Sequence, residues 1–160
     1  MRFDGVAGRR YFRSVRRLAL VRIRVCTRCG RGGAELKAED GAKLVVRLEP
    51  ARAVELRGTP PSDEMRWLTD VVLAQLEANG LRVREVVLDV VDGTPRAFLT
   101  LGKDGDASGE SEVVGCTPEE GVAIAIRGGH RLFATDDALA APRRRGEPRD
   151  EGGAGGGTLH

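Results

Sequence analysis

LTDVVLAQLEANGLRVREVVLDVVDGTPRAFLTLG, residues 68–102, changes its hydrophobic period part-way along. Its first third continues a helical pattern that opens at Thr59: Met65, Leu68, Val72, Leu73 and Leu76 recur mostly at spacings of three and four. That spacing makes one apolar stripe on a helix, expected here to be buried. Ser62 suits the N-cap, Asp63 and Glu64 favour the positive end of the dipole, and Gly80 suits the position just past the end. After Gly80 the residues become β-branched: Val83, Val86, Leu88 and Val90 fall in a long strand, Leu81–Gly93. Asp92-Gly93 then turns the chain into Pro95–Gly102, a hairpin partner. A helix followed directly by a strand hairpin points to α+β architecture.

The flanks extend this pattern. Upstream, Leu18–Val25 sets Ile23 and Val25 against Arg22 and Arg24, the period of a half-buried strand. Cys29–Gly33 reads as a loop, and residues 34–48 as a hairpin about Asp40-Gly41. Glu49–Gly58 reads as a short helix with Pro50 near its start. Downstream, Lys103–Glu110 is a loop tip, Ser111–Cys116 a strand, Thr117–Gly128 a helix and Arg131–Ala134 a strand; ATDDALA, residues 134–140, starts a last short helix. The expectation is a single compact α+β domain over residues 15–140, with a mostly antiparallel sheet of six or seven strands and three helices. Residues 1–14 read as a flexible basic arm, and residues 141–160 as a disordered tail with no apolar face to bury. Neither GxGxxG nor GxxxxGK[ST] opens a helix after a strand.

At 160 residues, 41% apolar and 31% charged, the chain is sized for one core. No apolar run approaches the roughly 20 residues that span a bilayer. Leu18–Val21 is too short for a signal-peptide core. No membrane association is expected, and the cytoplasm is the expected compartment. The net charge of +2 divides unevenly: residues 1–31 carry +9, residues 32–140 carry −8 and the tail +1. An acidic body repels polyanions unless cations or the basic arm compensate. Cys26, Cys29 and Cys116 are too few for a four-ligand zinc site, with only His130 and His160 to complete it. Zinc is not expected, and reduced thiols fit an odd count without a leader.

Three strings carry a resemblance to a known family. TDVVLAQLEANGLRVREVVLDVVDGTPRAFLTL and TPEEGVAIAIR, in that order, resemble the helix–strand–hairpin block and the R-P-S-D-A-I-A-L-A-L-R signature of the bifunctional nuclease domain family (domain of unknown function 151). VRLEPARAV lines up more loosely with that family's I-G-x-x-E-A-x-A-I. The similarity covers residues 14–140. It implies a homodimer or higher homo-oligomer and nuclease activity on DNA and RNA. The family's Thr-His-Asp stands here as Leu68-Thr69-Asp70. Its Arg-Pro-Ser-Asp stands as Thr117-Pro118-Glu119-Glu120, so a histidine and an arginine are replaced.

Phosphodiester hydrolysis needs an activated water and relief of charge on the phosphoryl oxygens, which carboxylates provide by holding Mg²⁺ or Mn²⁺. Asp70 and Glu120 are the expected metal ligands. With Glu119 and His130 they form the expected catalytic set, and Asp89 and Asp92 lie in the neighbouring strand and turn. Arg9, Arg10, Arg13, Arg16 and Arg17 are the expected contacts to nucleic-acid phosphates. Each has a plainer reading: Thr117-Pro-Glu-Glu is a capping box, Asp70 a solvated or locally paired acid, His130 a connection residue, the arginines an arm without a ligand. The alternative to a nuclease is a non-catalytic, oligomeric interaction module that keeps the fold.

Overall fold

A computed structural model describes residues 14–26, 28–58, 62, 65–103, 105 and 111–141. The chain forms strands β1 (Val15–Cys26), β2 (Arg31–Ala38) and β3 (Lys43–Leu48), then helices α1 (Pro50–Arg57) and α2 (Leu68–Ala78). Strands β4 (Leu81–Val91), β5 (Thr94–Lys103) and β6 (Ser111–Cys116) follow, then helix α3 (Pro118–Gly128), strand β7 (Arg131–Thr135) and the short helix α4 (Asp136–Ala140). The strands make one sheet in the order β3-β2-β1-β7-β4-β5-β6. Only β4 and β7 run parallel; every other neighbouring pair is antiparallel. The α+β class, the mostly antiparallel sheet and three helices of eight or more residues are as the sequence predicts. Among the described residues no helix is long and apolar enough to cross a membrane.

Local chemistry accounts for the hairpins. Asp92 and Gly93 both take positive φ (51° and 72°) between the paired residues Val91 and Thr94, which is the two-residue turn whose twist matches the strands. The expected loop at Cys29–Gly33 is shorter, because Gly32 and Gly33 pair with Leu48 and Arg47 inside β2. A Cβ on Gly32 would sit 2.8 Å from the Ala53 Cβ, so glycine there lets α1 lie close on the sheet.

Helix α3 is the centre of the packing. It touches β3, at one edge of the sheet, as well as β4, β5 and β7, so the sheet curls about it. Gly121, Val122, Ala123, Ile124 and Ala125 are all buried along it. The small residues permit close approach: a Cβ on Gly121 would lie 2.5 Å from the Ala97 Cβ of β5. Val86, Leu88, Leu99, Leu101, Leu36 and Leu48 supply much of the remaining core.

Helix α2 departs from expectation in two ways. It begins at Leu68, six residues after Ser62, because Trp67 holds extended backbone (φ −69°, ψ 146°) and serves as the residue before the first turn. Asp63 and Glu64 lie outside the described residues. The expected buried stripe is also divided: Leu73 and Leu76 pack against the core, whereas Met65 (56% exposed), Leu68 (68%) and Val72 (41%) face outward. Thr69 is the buried residue of the helix. An apolar stripe at helical spacing fixes a face, but the partner of that face is a tertiary matter.

Candidate functional site

The first turn of α3 opens with Thr117, extended and ideally placed to cap. Its hydroxyl accepts from the Glu120 N–H (3.2 Å), and a Glu120 carboxylate oxygen accepts from the Thr117 N–H (2.9 Å) and hydroxyl (2.8 Å). This is a complete capping box. These bonds, the backbone N–H first, hold the Glu120 carboxyl below its ordinary value of 4.5, with a further contribution from the charge of Arg52. Glu119 turns the other way and accepts the Glu49 N–H at 2.7 Å, tying the start of α1 to the start of α3.

Helix α1 contributes Arg52 and Glu55, three residues apart and on one face. Arg52 donates to a Glu55 carboxylate oxygen (2.6 Å) and to the Thr69 hydroxyl of α2 (2.8 Å). Glu55 is 5% exposed, and its second oxygen, Oε1, is buried without a hydrogen-bond partner among the described residues. Beside Thr69, Asp70 presents both carboxylate oxygens to Arg127 near the end of α3. Nε donates to Oδ1 at 2.9 Å and Nη2 to Oδ2, while Nη1 reaches the Gly58 carbonyl at 3.4 Å. A two-pronged guanidinium–carboxylate pair is a strong charge-assisted contact. The hydrogen bonds to Asp70 push the Arg127 pKa up, aided by the charges of Asp70 and Glu55.

The outcome is a belt of alternating charge, Glu120, Arg52, Glu55, Arg127 and Asp70, where α1, α2 and α3 converge. All of its members but Glu55 come from the three strings that carry the family resemblance. The belt does not bring Asp70 and Glu120 to one point. Seven residues of α3, about 10 Å of rise, separate Glu120 from the arginine that holds Asp70. A shared Mg²⁺ would need an oxygen of each at roughly 2.0–2.1 Å; here each carboxylate is engaged by its own protein partner.

The remaining candidates are dispersed. His130 follows the far end of α3, roughly 15 Å along the axis from Glu119 and Glu120. There its N–H donates to the Ala125 carbonyl (2.8 Å) beyond the left-handed Gly129, and burial lowers its pKa, so the ring is neutral near pH 7. Asp89 is buried and accepts the Thr135 hydroxyl at 2.6 Å, fastening the start of α4 to β4. Asp92 is the turn residue already described. Arg16 pairs with Asp40 and with Asp136 (2.8 Å), whereas Arg17 is exposed. Arg9, Arg10 and Arg13 lie outside the described residues, as does the expected tail beyond residue 141. Cys26 and Cys29, expected as free thiols, are bonded to each other across the β1–β2 turn with Cα atoms 5.5 Å apart.

Sequence reading missed Arg52, Glu55, Thr69 and Arg127. Two spacings could have found all but Thr69: the i,i+3 opposite charges of Arg52 and Glu55, and the two full turns that put Glu120 and Arg127 on one side of α3. No protein-family model and no curated protein matches this chain.

Proposed function

We propose that the chain is an oligomeric interaction module, built on a bifunctional-nuclease-type scaffold, which assembles with copies of itself through α2. The observation that carries this is the outward face of that helix. Leu68, Val71 and Val72, at spacings of three and four, are 68%, 39% and 41% exposed, with Met65 just before them. Fully burying a side chain of this size is favourable by roughly 1.5–3 kcal/mol, so several together can hold a second subunit. The charge belt beneath acts, in this reading, as the clamp that presents α2. The proposal places the protein in the cytoplasm.

The test is the oligomeric state of the purified chain by sedimentation or light scattering across concentration. The wild type should self-associate, and Leu68→Asp should weaken association by about tenfold or more while circular dichroism and melting of the subunit are retained. A wild type that stays monomeric at high concentration overturns the reading.

A second reading is hydrolysis of DNA or RNA assisted by Mg²⁺ or Mn²⁺, in which Asp70 and Glu120 act from separate points of the belt rather than as ligands of one ion. It is supported by the convergence of the three resembling strings in one belt and by the buried, unpartnered oxygen of Glu55. Cleavage of single- and double-stranded DNA and RNA with either metal, abolished by chelator and by Asp70→Ala and Glu120→Ala in folded protein, supports it. Equal cleavage by the double variant points to a contaminant.

A further inference from the structure

We propose that Cys26 and Cys29 form a thiol–disulfide exchange site, at the tip of the β1–β2 hairpin, for low-molecular-weight thiols. Strand pairing brings the end of β1 to the start of β2, with Cys26 opposite Arg31, and the intervening turn folds Cys29 back. The resulting Cα separation of 5.5 Å lies in the range a disulfide requires. Both cysteines are exposed, so an incoming thiol meets them without opening the core. Structural disulfides that staple a fold usually close long loops; a two-residue gap at a hairpin tip constrains little of the chain.

The surroundings favour a sulfur anion. Residues 23–34 hold no acid and carry Arg28 and Arg31, besides Arg24, which Glu35 engages. Glu35, the next acid along β2, is held by Arg22 (2.7 Å) and Arg24 (2.8 Å). The Cys29 N–H donates to Cys26 Sγ at 3.2 Å. Positive charge and N–H donors both stabilise a thiolate. Cys116 has the opposite setting: burial, then the charge of Glu120, push its thiol up to about 11.

The chemistry follows from which sulfur leaves best. The thiolate of a small thiol attacks Cys29 Sγ, forming a mixed disulfide and breaking the Cys26–Cys29 bond. The electron pair departs on Cys26 Sγ, where the Cys29 N–H receives it. A second small-thiol anion attacks the outer sulfur of the mixed disulfide and releases Cys29 as thiolate. The two protons given up by the small thiols pass to the protein sulfurs where these are protonated. Two small thiols are thereby oxidised to one small disulfide as the protein disulfide is reduced, and the reverse sequence closes it again.

Glutathione is the probe. The full chain would be equilibrated in buffers of set reduced-to-oxidised glutathione ratio, trapped with a maleimide and mapped by mass. Cys26 and Cys29 should pass together from unlabelled to doubly labelled as the ratio rises, with unchanged circular dichroism. Cys26→Ser should accumulate one glutathione on Cys29, the sulfur that carries the mixed disulfide. In the reduced protein Cys26 should alkylate at pH 7 about tenfold or more faster than Cys116. The proposal is overturned if the pair stays oxidised in excess reduced glutathione, or is labelled at every ratio. It is also overturned if exchange occurs only under unfolding conditions, or if Cys26→Ser gains no adduct.

Discussion

Asp70 and Glu120 both stand in the first turns of their helices, yet their environments differ in kind. Glu120 is bound by its own helix, and Asp70 by an arginine 57 residues away. Asp70→Asn should destabilise the fold by about 1–3 kcal/mol in urea unfolding, since both side chains of the pair are largely withdrawn from water. A double-mutant cycle with Arg127→Met should show coupling; additive effects would mean that the pair is idle. Thr117→Ala should cost roughly 1 kcal/mol through loss of the cap. The pH dependence has a definite sign. The Glu120 carboxyl titrates lower in the folded chain than its ordinary 4.5, so its contribution is complete above that value and fades as pH falls through the folded value. Glu120→Gln should flatten that acid-side loss, and an unchanged pH profile would argue against it.

At the scale of elements, α2 and α3 illustrate opposite relations between pattern and burial. Helix α3 is small-residue-rich because it lies against strands on several sides, and Gly121 sits where no side chain fits. Alanine there raises helix propensity by about 1 kcal/mol. It also overpacks against Ala97, a cost of typically 1–3 kcal/mol. Gly121→Ala should therefore lower the melting temperature, and a stabilised variant would show that β5 yields. Helix α2 has apolar residues on two sides, one turned to the core and one to solvent. Leu73→Ala should cost about 2 kcal/mol of subunit stability. Leu68→Asp should leave subunit stability nearly unchanged and act on association alone.

In the molecule as a whole, β7 joins the two antiparallel halves of the sheet, pairing with β1 on one side and running parallel to β4 on the other. The Asp89–Thr135 hydrogen bond and the Arg16–Asp136 ion pair reinforce this junction where α4 begins. If the α2 face closes a homo-oligomer, folding and association are linked, and the melting temperature should rise with protein concentration. A concentration-independent melt would separate the two. The acidic character of the body is partly an effect of counting. Arg16, Arg22 and Arg24, counted with the basic first 31 residues, lie in β1 and pair with Asp40 and Glu35, so the −8 of residues 32–140 overstates the field an approaching polyanion would meet.

Much of this was legible along the chain, because hairpin turns, caps and strand periodicity are short-range chemistry. Asp92-Gly93 dictates its turn through φ, Thr117-Pro-Glu-Glu dictates its cap through bonds three residues apart, and β-branched runs favour strands wherever they lie. The side chosen by α2, the joining of β1 to β4 through β7, and the pairing of Asp70 with Arg127 and of Arg52 with Thr69 had no such local cause. Each depends on which surfaces meet after the sheet curls around α3. Contacts between residues tens of positions apart are selected by packing and by the cost of leaving a buried charge alone, and neither quantity exists until the chain has closed on itself.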